Sequence, residues 1–210
     1  IAEHRFRQWL FYRQWDALRA YANGKGIRIV GDIPIYVAHD SADVWVNPEL
    51  FDLDFYGRPN YIAGVPPDYF SVTGQRWGNP LYLWEEHQRT GYAWWIRRMR
   101  AMLQVVDIVR IDHFRGFDLY YKIPADRPTA QGGRWVNGPK IGFFRALSAG
   151  LGRALDQLPI IAEDLGDDLG AAVTLRDTLH LPGMAILQFA FSSYEGDENR
   201  FLPHNHVPNM

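Results

Sequence analysis

The 210-residue chain contains no cysteine, and its charges nearly cancel, with Lys+Arg 22 against Asp+Glu 24 and a formal net charge of -2. Zero cysteine excludes a disulfide scaffold, a thiol nucleophile and any thiolate-held metal. It also fits a reducing compartment, so a cytoplasmic setting is expected. Without a basic excess, the sequence lacks the electrostatic footprint of a nucleic-acid binder. Long apolar runs are missing too. The longest window free of Asp, Glu, Lys and Arg is Thr178–Tyr194, and Pro182, Gly183 and Gln188 interrupt it, so no membrane span is expected. The first residues do not carry a secretory signal pattern. No glycine-rich GxGxxG or Walker loop follows a candidate strand, so dinucleotide chemistry lacks its signature.

Aromatic residues, in contrast, are plentiful: 8 Trp, 11 Tyr and 12 Phe, or 15% of the chain. Such rings fill cores and also stack on nucleobases or on the C–H faces of sugars. With no basic patch, the choice lies between core and sugar, residue by residue. The length suffices for a sizeable core, burying roughly 70% of the unfolded surface. The chain opens on Ile1 and ends on Met210, and we expect it to be a piece of a longer protein. Nothing in it indicates an oligomeric state.

Hydrophobic periodicity predicts a helix over 2–22, with Phe11, Trp15, Leu18 and Ala22 as its apolar stripe. Asn23-Gly24-Lys25-Gly26 ends it, and a short strand over 27–30 follows, closed by Gly31-Asp32. A second helix is expected over 84–103, with Trp95, Met99 and Met102 on one side, and a second strand over 105–111. A third helix over 140–156 precedes a third strand over 160–162. Asp167 or Asp168 can cap a further helix through Leu169, Ala172, Val173 and Leu179, before a fourth strand over 184–191. This alternation predicts βαβ units and a parallel sheet. Three of the strands run into an acid: Asp32, Asp112 and Glu163. Acids at the carboxyl ends of successive strands are the pattern of a (β/α)8 active site. Residues 33–83 are too long for a βα loop of about 2–6 residues, and read as an inserted binding loop or small subdomain.

In Val106–His113, strand alternation puts Arg110 and Asp112 on one face, and Val109 and Ile111 on the other. Arg110 favours the ionised form of Asp112, as a nucleophile requires. Buried ion pairs stabilise poorly, so a pair at a strand mouth reads as functional; Asp107, on the opposite face, reads as structural. Glu163 follows the apolar run Pro159–Ala162, which favours its neutral form. An ionised Asp beside a protonated Glu is the pairing of glycoside chemistry, with the carboxyls about 5–5.5 Å apart in a retaining enzyme. Neighbouring parallel strands, about 4.8 Å apart, allow that spacing. The alternative is that Asp164 faces inward and Glu163 only caps a turn. In the insertion, prolines and glycines frame Tyr69, Phe70 and Trp77, rings suited to a sugar chain. Trp77 and Tyr82 are open between sugar contact and packing. Trp9, Trp15, Trp84, Trp94 and Trp95 lie on helices and read as packing residues. His204 and His206 are a weak metal signal, since no acid lies nearby to complete a site.

Longer motifs then match a known family. Gly31–Val37 and Asp40–Trp45, Pro66–Tyr82, Val109–Gly116 and Ile161–Gly166 jointly resemble the amylomaltases, the 4-alpha-glucanotransferases of the alpha-amylase clan. The resemblance runs in one colinear order from about residue 8 to the end. It implies an α/β fold, a partial (β/α)8 barrel comprising about strands 3–6 of the parent, with 33–83 as the substrate-binding insertion. It implies retaining transfer of alpha-1,4-glucan segments between malto-oligosaccharides through a covalent glucosyl-Asp. Asp112 would be the nucleophile and Glu163 the general acid and base. Asp32, Tyr36, Ser41, Asp68, Tyr69, Phe70, Gln75, Trp77, Arg110 and His113 would contact or position sugar. No metal and no cofactor is called for. The family's third carboxylate, an Asp preceded by His, has no counterpart here, and we expect it beyond Met210. With four candidate strands, the isolated chain is expected to fold poorly and show little activity. The alternatives are an alpha-glucan hydrolase on the same barrel and a non-catalytic carbohydrate-binding protein.

Overall fold

The computed structural model describes residues 1–68, 71–166, 170–191 and 196–206. Two sheets organise them. Helix α1 (Ala2–Gly24) leads into β1 (Val30–Pro34), and α2 (Ala42–Val46) follows. Strands β2 (Tyr61–Val65) and β3 (Gln75–Pro80), helices α3 (Trp84–Arg89) and α4 (Ala93–Val105), and strand β4 (Ile108–Asp112) come next. After them run β5 (Leu119–Pro124), β6 (Arg134–Asn137), α5 (Lys140–Leu151), β7 (Ile160–Ala162) and α6 (Ala171–Thr178). One sheet is parallel, in the order β1-β4-β7; the other has four antiparallel strands, in the order β3-β2-β5-β6. The expected α/β class and parallel sheet are present. No helix among the described residues is long and apolar enough to cross a membrane.

Several expected elements differ; the second strand forms over Ile108–Asp112 rather than 105–111, and the third helix ends at Leu151 rather than 156. β1 begins at Val30 rather than 27, because the Asp107 carboxylate takes the Ile29 amide at 2.8 Å and the ladder starts beyond it. Gly31 is therefore inside the strand, not a terminator. A Cβ there would meet Val106 Cγ1 at 2.7 Å and Met102 Sδ at 3.3 Å, so its bare backbone lets α4 approach. The helix expected over 84–103 is two helices. Gly91 and Tyr92 both take left-handed backbone (φ 61 and 56), and buried Tyr92 turns its ring edge onto Phe143. The fourth strand is not formed: residues 181–186 are irregular and Leu187–Phe191 is a 3-10 helix. Pro182 lies against β7, its carbonyl accepting from the Ala162 amide at 2.9 Å. The capping positions Asp167 and Asp168 lie outside the described residues.

Residues 33–83 fold as more than a loop. Their strands β2 and β3 join β5 and β6, from a segment unassigned by periodicity, and complete the antiparallel sheet. A small core of Ile62, Tyr121, Ile123 and Ala130 lies beneath it. The main core sits between the parallel sheet and α4–α5, where Trp95, Met99, Phe114, Phe117, Phe143, Phe144 and Leu147 are fully buried. Many of the aromatic residues pack there, while others, among them Trp45, Phe55 and Tyr56, stay exposed. The stripe on α1 fares differently: Phe11 and Leu18 are exposed, and α1 is held by its polar edge. Trp15 Nε1 donates to the Val105 carbonyl at 2.6 Å, and Arg19 pairs with Asp107 at 2.6 Å.

Asp107 is thus structural, as its face implied. The Ile29 amide, then Asn23 and Arg19, hold its carboxyl down at about 2. Its stabilisation is full above the unfolded value of about 3.9 and is lost as pH falls through the folded one. We therefore expect Asp107→Asn to lower the thermal midpoint at pH 7, with the gap to wild type closing between about pH 4 and pH 2. A gap that persists at pH 2 would contradict this reading of the melting curves.

Candidate active site

The registers of the parallel sheet bring the predicted acids together. Asp32 on β1 pairs with Arg110 on β4, Pro34 with Asp112, and Ile111 with Ala162 on β7. Glu163 then falls beside Asp112. Past the strand ends the pairing continues: the Ile35 amide donates to the Asp112 carbonyl at 3.2 Å, and the Glu163 amide to the Ile111 carbonyl at 3.1 Å. Along β4, Val109 and Ile111 are buried while Arg110 and Asp112 are not. The functional and core faces are therefore those that strand alternation predicts.

Arg110 is the hub. Its Nη1 donates to Asp32 Oδ1 at 2.7 Å, and its Nη2 to Asp112 Oδ1 at 2.8 Å. Its Nε donates to the sulfur of Met184 at 3.1 Å. All of its nitrogens are engaged, two by carboxylates and one by a neutral thioether. Asp112 is still half exposed, so its second oxygen is available.

Glu163 has a different environment. Burial raises its pKa above the ordinary carboxylate value, and the nearby charge of Asp112 adds to the rise. Two backbone amides oppose it: His113 donates to Oε2 at 2.9 Å, and Leu165 to Oε1 at 2.7 Å. Asp164 points the other way, into the core, ion-paired to Arg176. The alternative in which Asp164 faces the site is thereby overturned.

His113 takes left-handed backbone, φ 57, costing about 1–3 kcal/mol for a residue with a side chain. That turn aims its amide at Glu163. Burial, then Arg115, lowers its ring pKa to about 4, so the ring is neutral near pH 7. The Trp77 and His113 rings meet edge to face, centroids 4.8 Å apart. Trp77 also donates to Gln75 Oε1 at 3.0 Å and lies beside Tyr36, at 6.4 Å. Trp77 keeps 37% of its surface exposed, while Tyr82, at 3%, is a packing residue. Tyr36 is also buried; its hydroxyl and His113 Nε2 have no hydrogen-bond partner among the described residues.

The structure therefore gathers Asp32, Arg110, Asp112, His113 and Glu163, with Tyr36, Gln75 and Trp77 as an adjoining wall. Ser41 and Asp68 have local roles. The Ser41 hydroxyl caps α2 at the Val44 amide, and Asp68 Oδ1 accepts from the Ser71 amide at 2.7 Å. Tyr69 and Phe70 lie outside the described residues. Sequence reasoning missed Met184 and Arg98. Arg98 lies over Trp95 and donates to the Pro34 and Ile35 carbonyls, while Tyr82 donates to that of Ile35 at 2.7 Å. The i, i+4 spacing of Trp94 and Arg98 was the available signal for the latter.

The sequence family described as 4-alpha-glucanotransferase matches residues 1–210. A 4-alpha-glucanotransferase of Thermus thermophilus is 55% identical over 206 residues, covering 98% of this chain and 40% of that protein. A chloroplastic/amyloplastic 4-alpha-glucanotransferase of Solanum tuberosum is 48% identical over 204 residues, covering 97% of this chain and 34% of that protein. Among solved structures, amylomaltase from Streptococcus agalactiae in complex with acarbose superposes with a TM-score of 0.90 at 44% identity. That match covers 99% of this chain and 41% of the other. Amylomaltase from Corynebacterium glutamicum, at 24% identity and a TM-score of 0.72 over 89% of this chain and 26% of the other, shares the fold. This chain spans about 40% of the length of its bacterial relatives. Matched from its first residue to its last, it belongs to the 4-alpha-glucanotransferase family, the amylomaltases.

Proposed function

We propose that this chain carries the nucleophile and the acid/base residue of an alpha-1,4-glucan transferase, within a longer (β/α)8 barrel protein. The observation that supports it best is the contrast between the two central carboxyls. Arg110 donates directly to Asp112, whereas Glu163 is raised by burial and lies beside that charge. An arginine-held carboxyl and a buried one with a raised pKa at adjacent strand ends can act on opposite sides of one glycosidic bond. The acarbose complex of the Streptococcus agalactiae relative supports an α-glucan as the substrate.

The steps balance. Asp112 attacks the anomeric carbon while Glu163 gives its proton to the departing glycosidic oxygen, and a glucosyl ester forms on Asp112. The glucan fragment leaves. An acceptor hydroxyl then yields its proton to Glu163 and attacks the same carbon, and Asp112 is released as carboxylate. Two displacements retain the configuration. Arg110 donates to Asp112 and orients it, and the His113 amide fixes the Glu163 carboxyl. Trp77 offers its exposed face to a sugar ring, with Gln75 bound to its indole N–H. Asp32, whose side chain is 62% exposed, has room to receive sugar hydroxyls while Arg110 holds it. Tyr69 and Phe70 are proposed as stacking platforms for the acceptor, and Ser41 and Asp68 as supports of the loops that frame it.

In the full-length protein incubated with maltotriose, we expect longer oligomers plus glucose. Shortening without elongation would replace transfer with hydrolysis. Asp112→Asn should lower turnover by orders of magnitude, about 10^3-fold or more. Unchanged activity would sink the covalent step and favour a non-catalytic binder.

Glu163 supplies a separate check. The alkaline limb of kcat/KM should sit above the ordinary carboxylate range, since its raised pKa keeps the acid form to higher pH. Glu163→Gln should abolish that limb and depress turnover of maltotriose. A maltosyl fluoride, whose leaving group needs no proton, should still glycosylate the variant. Equal loss on both donors would remove Glu163 from the acid role.

A further inference from the structure

We infer that Met184 is a positioning residue for the proposed transfer, setting the plane of the Arg110 guanidinium through its sulfur and so placing Asp112; this rests on Asp112 being the nucleophile. An arginine presents five N–H groups in one rigid plane. Its two terminal nitrogens here hold two different carboxylates, Asp32 and Asp112, at 2.7 and 2.8 Å. Those contacts alone leave the plane free to tilt about the line joining them. The third contact, Nε to Met184 Sδ at 3.1 Å, removes that freedom. A thioether suits the position because it accepts weakly and carries no charge. A carboxylate in its place would draw the guanidinium away from Asp112.

What places Met184 is the end of β7. Its backbone amide donates to Asp164 Oδ1 at 2.9 Å, and Asp164 is ion-paired with Arg176; both side chains are almost fully buried. Gly183 makes the approach possible, since a Cβ there would lie 2.5 Å from Asp164 Oδ2 and 2.7 Å from Arg176 Nη1. Arg200 donates to the Asp164 carbonyl at 3.1 Å, and Pro182 accepts from Ala162. A buried ion pair contributes little net stability by itself. Here it fixes a backbone that delivers a sulfur to Arg110. Asp164 follows Glu163 directly, so a single strand end carries the acid/base carboxyl and orients the partner of the nucleophile.

The test compares Met184→Leu, which keeps the volume and loses the acceptor, with Met184→Gln, which restores an acceptor, in the full-length protein. With 15N-arginine labelling and Arg110→Lys to identify the signal, the Arg110 Nε–H should exchange slowly in wild type and fast in Met184→Leu. On maltotriose, Met184→Leu should lose roughly 10- to 100-fold in kcat, with KM changed by no more than about twofold. Met184→Gln should recover most of that loss and restore slow exchange. A Met184→Leu enzyme with wild-type kcat, or one whose Arg110 signal is unchanged, would overturn the inference. So would an equal loss in both variants, which would indicate packing rather than acceptor chemistry. A wild-type protein that shows the protected signal yet transfers no glucan would sink the transferase reading while supporting the Met184–Arg110 contact.

Discussion

The register of three parallel strands decides where every charge at the site falls. Side chains alternate along a strand, so a slip of one residue would send Arg110 and Asp112 into the core and bring Val109 and Ile111 out. The observed pairings, Asp32 with Arg110 and Ile111 with Ala162, prevent that slip from both sides of β4. The buried residues of these strands specify the register, because Ile33, Val109, Ile111, Ile160 and Ala162 all lose their place together. The polar face contributes little to that choice. The carboxyl cluster is thus positioned by apolar residues on the opposite face of the strands.

From that register follows the role of the second sheet. Parallel strands alone leave the carboxylates on an open face. Strand β3 supplies Trp77, which meets His113 just beyond the end of β4. The left-handed backbone of His113 carries a cost that the surroundings must offset. Buried Phe114 and Phe117, packed on Phe143 and Phe144, anchor the segment that follows it. The aromatic core and the turn at His113 are therefore parts of one arrangement. Arg98 ties the other strand end similarly, lying on Trp95 and holding the carbonyls of Pro34 and Ile35.

The sequence made the site's centre legible and its supports illegible, for a physical reason. Arg110, Asp112 and Glu163 stand out because a charge beside a run of Ile and Val needs an explanation, and strand periodicity then gives its face. The parallel strand 160–162 was legible by the same apolar patterns, as was the helix expected over 140–156, which ends earlier, at Leu151. Strands β5 and β6 were not, because their pairing is long-range and Arg134–Asn137 is mostly exposed. The expected strand over 184–191 failed because hydrophobic residues after Pro182-Gly183 suit a 3-10 turn as well as a strand. Met184 gave no signal of its own: a methionine in an apolar window reads as core, and only the third nitrogen of Arg110 marks it. Ser41 shows the converse, a motif residue whose hydroxyl is engaged by the Val44 amide of its own helix.

Adjacent Glu163 and Asp164 show how little of a carboxyl's role belongs to the residue itself. One backbone step turns the first toward the carboxylate cluster and the second into the core. Glu163 receives two amide N–H groups, too little to offset its burial, so its pKa lies above the ordinary carboxylate value. Asp164 receives a guanidinium and the Met184 amide, and it enters an ion pair. Exchanging their environments would exchange their chemistry. The proposed proton donor is poorly compensated and the structural anchor fully compensated, and two consecutive positions just past the end of β7 meet both demands because they turn to opposite sides.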